Sequence, residues 1–185
     1  SETLICVDCG NVKEKTLPIV PHKYGEAETT DDGWTRQSCT VCTHEISSFD
    51  AKNVKEAIVD TSKIDGDKAF KIQLDGADIE FPASVVAEMK YNDSVNISAA
   101  EADKNSINTD SADEDQKAAL ENENTKIYDF GVEGIYTGYF GDYVTITLPY
   151  TLGEDEDPEG IVIWYISDSG ELVEVEDVLF VDEDG

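Results

Sequence analysis

The sequence predicts a mainly β protein: a small zinc-ribbon-like unit followed by a β-sandwich-like domain with one or two short helices. Three observations predict it. Four cysteines fall in two Cys-x-x-Cys pairs, Cys6/Cys9 and Cys39/Cys42, both within residues 1–50. From residue 63 onward, short alternating apolar runs are separated by turns containing Gly and Asp, the texture of half-buried strands. The chain of 185 residues is 39% apolar and 30% charged, a globular balance able to bury a modest core. On this basis residues 1–50 are the four-cysteine unit, 51–62 a linker, and 63–185 the acidic β domain.

Within the first unit, Leu4-Ile5-Cys6-Val7-Asp8-Cys9 and Gln37-Ser38-Cys39-Thr40-Val41-Cys42 echo each other at an offset of 33 residues. Gly10 follows the first pair, where a tight knuckle accepts a residue of positive φ; Thr43 holds the corresponding place after the second. Residues 51–62 read as a short helix or a connecting strand. Ala69–Leu74 alternates, Asp75-Gly76 turns, and Ala77–Phe81 alternates again, which reads as a hairpin. Pro82 starts a short helix through Val85, Val86 and Met89. Ser94–Ser98 is a further strand, and Ser111-Ala112-Asp113-Glu114 has the spacing of a capping box for a helix ending near Leu120. Strands are then expected at Lys126–Val132, Ile135–Phe140, Tyr143–Pro149, Ile161–Ile166 and Glu171–Val175, the last two joined by a turn at Asp168-Ser169-Gly170. Alternation sets Trp164 and Tyr165 on opposite faces.

The cysteine spacing carries the chemistry. A Cys-x-x-Cys turn presents two thiolates at two corners of a tetrahedron, so two such turns close a structural zinc site formed by Cys6, Cys9, Cys39 and Cys42. Disulfides are the rival: Cys6–Cys39 with Cys9–Cys42 would staple the same turns in an oxidising compartment. A redox-active pair is a third reading, without the βαβ context it needs. His22 and His44 are each a candidate replacement for one cysteine, although four thiolates already saturate zinc. His44-Glu45 does not extend to a metalloprotease motif, because Ser48 stands where the second histidine belongs.

Cys6-x-x-Cys9-Gly10, Pro21-His22-Lys23-Tyr24-Gly25, Gly33-Trp34-Thr35-Arg36 and Cys39-x-x-Cys42 together resemble the short cysteine-knuckle repeats of large surface proteins from Gram-positive gut bacteria. A second resemblance lies in Tyr143–Tyr150, Gly153-Glu154-Asp155, Asp157-Pro158 and Val162–Leu172. These are similar to β-sandwich modules recurrent in clostridial cell-wall proteins. The resemblance implies a non-catalytic spacer or an adhesive, ligand-displaying unit.

Charge excludes other classes. With 42 Asp+Glu against 13 Lys+Arg the net charge is −29, which repels nucleic acid and anionic lipid. No apolar run approaches the roughly 18 residues of a membrane span. The opening Ser1-Glu2-Thr3 lacks Met and a basic leader, so the chain is expected to be a piece of a larger protein. No nucleophile elbow, phosphate loop or dinucleotide fingerprint is present. With both histidines in the cysteine region, the β domain has none for a Ser/His/Asp triad. Calcium is a weaker cofactor expectation, resting on Asp65-Gly66-Asp67, Asp75–Asp78 and Glu154–Asp157; none completes a twelve-residue calcium loop, and all read as solvated turns.

The expected function is therefore a structural or adhesive module of a secreted or cell-wall protein, without enzymatic activity. Its expected partners are neighbouring modules, with a glycan or host protein beyond them. A glycan-binding module is one alternative, displaying Tyr136, Tyr139, Tyr143, Trp164 or Tyr165. A transcription-type zinc ribbon with a regulatory domain is the other, and the charge opposes it.

Overall fold

The computed structural model describes residues 2–5 and 12–15 as strand backbone, and residues 22–30, 33–135, 142–153, 157, 160–167, 169–175 and 178–180. It is mainly β, with 38% strand against 15% helix. In chain order the elements are β1 (Glu2–Ile5), β2 (Val12–Lys15), β3 (Glu28–Thr29), β4 (Trp34–Ser38), β5 (Glu45–Asp50), β6 (Glu56–Asp60), β7 (Ala69–Leu74), β8 (Ala77–Phe81), α1 (Ala83–Met89), β9 (Ser94–Glu101), α2 (Glu114–Glu121), β10 (Tyr128–Glu133), β11 (Thr145–Thr147), β12 (Trp164–Ile166) and β13 (Leu172–Glu174). Single turns of 3-10 helix lie at Thr61–Lys63 and Lys104–Ser106.

A six-stranded sheet in the order β11-β8-β7-β5-β4-β3 dominates. All its pairings are antiparallel except β5 with β7, where Ile46 lies beside Ala69 and Phe49 beside Ile72. A parallel pair cannot be joined by a tight turn and needs a long crossover. Residues 51–68 supply it, and on the way they contribute β6 to a second, three-stranded sheet ordered β10-β9-β6. Residues 51–62, which the sequence assigns to a linker, thus supply a strand of the second sheet. Of the two readings of that stretch, the strand forms.

Why these residues make these strands is visible in their burial. Along β8, Ala77, Ile79 and Phe81 are buried and Asp78 and Glu80 are half-exposed. Along β9, Val95, Ile97 and Ala99 alternate in the same way, as the two-residue period of a strand requires. Asp75-Gly76 closes the β7–β8 hairpin as expected, with Gly76 at φ +89, a backbone conformation that costs glycine nothing.

Both sheets face one hydrophobic cluster. Phe70, Ile72, Ile79 and Phe81 from the larger sheet meet Val59, Val95 and Ile97 from the smaller, and Val85, Val86 and Met89 of α1 complete it. Trp34 joins from β4: its ring stacks on Phe70 at a centroid distance of 5.5 Å, and Phe70 stacks on Phe81 at 6.1 Å. Residues 34–50 and 69–81 therefore share sheet and core.

Pro82 is the N-cap of α1, with Ala83 its first helical residue. The capping box of α2 lies two residues later than the Ser111–Glu114 spacing suggests. Asp113 accepts from the Gln116 amide at 2.8 Å, and Gln116 Oε1 accepts from the Asp113 amide at 3.0 Å. Ser111 is drawn elsewhere, its hydroxyl donating to the Ser169 carbonyl at 2.9 Å. That bond ties the β12–β13 hairpin to a second, smaller cluster of Ala112, Leu120, Ile127 and Leu172, against which Trp164 packs. Tyr165 is exposed on the opposite face, as alternation requires. The expected strand at Ile135–Phe140 falls largely outside the described residues. No helix among the described residues is long and apolar enough to cross a membrane.

Phe70 is fully buried between Trp34 and Phe81. Phe70→Ala is expected to cost about 3–5 kcal/mol, read from urea unfolding by circular dichroism. In a Trp164→Phe background Trp34 is the remaining tryptophan, and its emission is expected to follow the same transition.

Candidate metal centre

The second Cys-x-x-Cys is the turn of the β4–β5 hairpin. The ladder closes at Ser38 opposite Glu45, and one step beyond it the Cys39 amide donates to the His44 carbonyl at 2.8 Å. The chain must then reverse over Thr40–Thr43, which turns both cysteines toward the same side. The Val41 amide points back at Cys39 Sγ, 3.5 Å away. An N–H aimed at sulfur stabilises the thiolate over the thiol. The Val41 and Cys42 amides, helped by His22, hold the Cys39 thiol down to about 6 against the opposing effect of burial.

A separate segment brings the third donor. Residues 23–25 run beside the end of β4: Gly25 donates to the Ser38 carbonyl at 3.0 Å, Thr40 donates to the Lys23 carbonyl at 2.8 Å, and Tyr24 bridges Cys39. This short ladder carries His22 to the turn, where its Nδ1 lies 3.4 Å from Cys42 Sγ. The donor atoms of His22, Cys39 and Cys42 all lie within 4.8 Å of one another. Cys39 is nearly covered, whereas Cys42 and His22 are exposed.

A layer of rings backs the group. His44 stacks on His22 with centroids 3.9 Å apart and planes 4° from parallel, and Tyr24 tilts against both rings at 5.9 and 6.0 Å. On its far side His44 Nε2 is 3.8 Å from Glu80 on β8. Burial, then the neighbouring His22, lower the basicity of His44, with Glu80 acting the other way. Burial foremost, with Glu80 and both cysteines adding to it, raises the Tyr24 phenol. Beside the turn lies a cleft of about 400 Å³, lined in part by Thr43, His44, Pro82 and Ala83, with the Glu45–Lys68 ion pair at its edge. Lys68 holds the Glu45 carboxyl below its usual range.

Neither a protein-family model nor a curated protein nor a solved structure matches this chain. The site therefore rests on its own geometry.

Of the four cysteines expected as ligands, Cys39 and Cys42 are brought together. Cys6 and Cys9 lie outside the described residues, in the connection between β1 and β2, whose ladder closes at Ile5 opposite Val12. Each cysteine pair thus belongs to a strand-to-strand connection. His22, held in reserve by the sequence reading, stands in the group; His44 supports it from behind. The acidic turns behave differently. Asp78 pairs with Lys71 at 2.7 Å and accepts from Gln73, Glu154–Glu156 lie outside the described residues, and the one metal-competent group among the described residues is the His/Cys/Cys set.

In reduced, metal-free protein, the ultraviolet thiolate absorbance is expected to show an early step near pH 6 from Cys39, below the roughly 8.5 of an ordinary cysteine. Val41→Pro removes one N–H from the sulfur and is expected to move that step upward. A titration unchanged by the substitution would contradict the role given to the Val41 amide.

Proposed function

We propose that the chain is a non-catalytic structural or adhesive module of a bacterial cell-surface or secreted protein, stapled near its N-terminal side by a structural zinc ion. The observation that carries the metal reading is the convergence of His22, Cys39 and Cys42 on one hairpin turn. Thiolate and imidazole donors suit zinc, whereas calcium and magnesium take oxygen ligands. The N–H directed at Cys39 Sγ stabilises the ionised form that a metal ligand must have.

The strand-flanked positions of both cysteine pairs support a zinc-ribbon-like unit, with the Cys6/Cys9 pair as the source of the remaining thiolate donation. The two sheets around one core support a β-sandwich-like domain that shares β4 and β5 with that unit. A structural zinc ion has its positions filled by protein ligands and contributes folding free energy outright. Its task here is to hold residues 22–25 and the β4–β5 turn together, where the described contacts are short backbone ladders rather than a large apolar core.

The extracellular or cell-wall setting follows from the resemblance of the cysteine repeat and the C-terminal strand pair to Gram-positive surface modules. The charge of −29 fits a partner that is neither nucleic acid nor anionic lipid: a neighbouring module, a glycan or a host protein. A glycan-binding reading draws on Tyr143 and Tyr165, both largely exposed, since flat aromatic rings offer apolar area and a polar hydroxyl together.

Elemental analysis of the purified chain is expected to give one zinc per chain, with four thiols titratable after denaturation. Removing the zinc with a chelator is expected to lower the midpoint of the transition that Trp34 reports, because β4 belongs to the shared sheet. Protein without zinc and without thiols would be doubly disulfide-bonded, and the zinc reading would fall.

A further inference from the structure

We infer that His22 is itself a zinc ligand through Nδ1, so that the ion sits in a mixed nitrogen–sulfur set, and that His44 is the residue that positions it. This rests on the zinc reading above and replaces the four-thiolate set that the cysteine count suggests.

The distances fit. Zinc bonds of about 2.0–2.1 Å to nitrogen and about 2.3 Å to sulfur, set at the tetrahedral angle, hold the two donors about 3.6 Å apart. His22 Nδ1 and Cys42 Sγ are 3.4 Å apart, and Cys39 Sγ lies in the same group. Three ligand directions are therefore already gathered on one turn and the segment laddered to it.

The ring orientation is also fixed. An exposed histidine on a loop ordinarily samples several rotamers, and ordering it costs free energy. Here the flat face of His22 lies on His44, 3.9 Å away and within 4° of parallel. His44 itself lies two residues beyond Cys42, half-buried, with Nε2 3.8 Å from Glu80 on β8. A metal-ligating histidine commonly depends on such outer contacts for its orientation. The stack brings the group beside an interior strand of the large sheet, since β8 lies between β7 and β11.

A count follows. A tetrahedral ion holding His22 has room for three thiolates at most, and the chain has four cysteines. The zinc-loaded protein therefore keeps at least one cysteine outside the coordination sphere. As Cys39 and Cys42 are in the group, that cysteine belongs to the first pair.

Zinc K-edge X-ray absorption on the zinc-loaded full chain reads the donor set directly. The expected spectrum contains one nitrogen at about 2.0–2.1 Å with imidazole multiple scattering, beside sulfur at about 2.3 Å. His22→Ala is expected to remove the imidazole signal and weaken zinc retention against a competing chelator by at least tenfold. His44→Ala is expected to weaken retention while keeping the nitrogen, and His44→Phe, which restores a flat ring, to recover most of it. A four-sulfur shell in the wild-type protein would overturn this inference and leave the structural zinc site standing. An imidazole signal abolished by His44→Ala and kept by His22→Ala would overturn the assignment of roles. Failure of the protein to bind zinc at all would overturn both readings.

Discussion

The β4–β5 hairpin holds two structures in register at once. At one end, its turn carries Cys39 and Cys42. At the other, Trp34 lies opposite Phe49, their rings 5.2 Å apart, and Trp34 stacks on Phe70 in the core. In a strand pair with one buried face, a slip of one residue would turn every side chain to the wrong side. The turn geometry and the apolar face must therefore agree. A metal ion bound at the turn, as proposed, would fix the register that the sheet needs, and the parallel pairing of β5 with β7 would carry that register into the rest of the molecule. Parallel pairing through a long crossover is entropically expensive to form, which gives a local clip at the hairpin particular leverage.

The metal group and the sheet also meet through side chains. His44 follows the second cysteine by two residues, stacks on His22 and faces Glu80. Its neighbour Glu45 opens β5 and is ion-paired with Lys68, just before β7. With only 13 cations against 42 acids, three lysines around β7 have defined placements. Lys68 spans to Glu45, Lys71 reaches Asp78 across the β7–β8 hairpin, and Lys90 donates to the Ile64 carbonyl at 2.8 Å. These contacts gather positive charge along β7 and its approaches, where neighbouring strands would otherwise present carboxylates to one another. Many of the other acids among the described residues are exposed, where their repulsion is screened by salt.

Local patterns were legible in the sequence and long-range pairings were not. The β7–β8 hairpin follows from alternation and Asp75-Gly76, and α1 from Pro82 with Val85, Val86 and Met89 behind it. The β12–β13 hairpin follows from its flanking apolar runs and Gly170, whose φ is +77. Each is set by residues close together in the chain. The partnership of β5 with β7 leaves no local trace, so residues 51–62 read as a connection. β6 compounds this, because only Val59 of its five residues is buried and no alternating stripe announces it. Ser111 has good capping chemistry, but a hydrogen bond to a residue far along the chain takes it away and leaves Asp113 as the cap. At the candidate metal group, spacing pointed to Cys39 and Cys42, which the hairpin turn brings together. His22 was placed by a three-residue ladder to β4 that its own neighbours do not encode. The one signal available was the histidine in Pro21-His22-Lys23-Tyr24-Gly25, a nitrogen donor that suits zinc in a short element between the two cysteine pairs.

Hydrogen exchange of the full chain, with zinc and after chelation, tests the link between turn and sheet most directly. If the metal holds the hairpin in register, zinc should slow exchange at the turn and also along β4, β5 and β7, with protection in β7 rising together with that in β5. Protection confined to residues 22–25 and 39–44, with β5 and β7 exchanging at the same rate in both states, would contradict it.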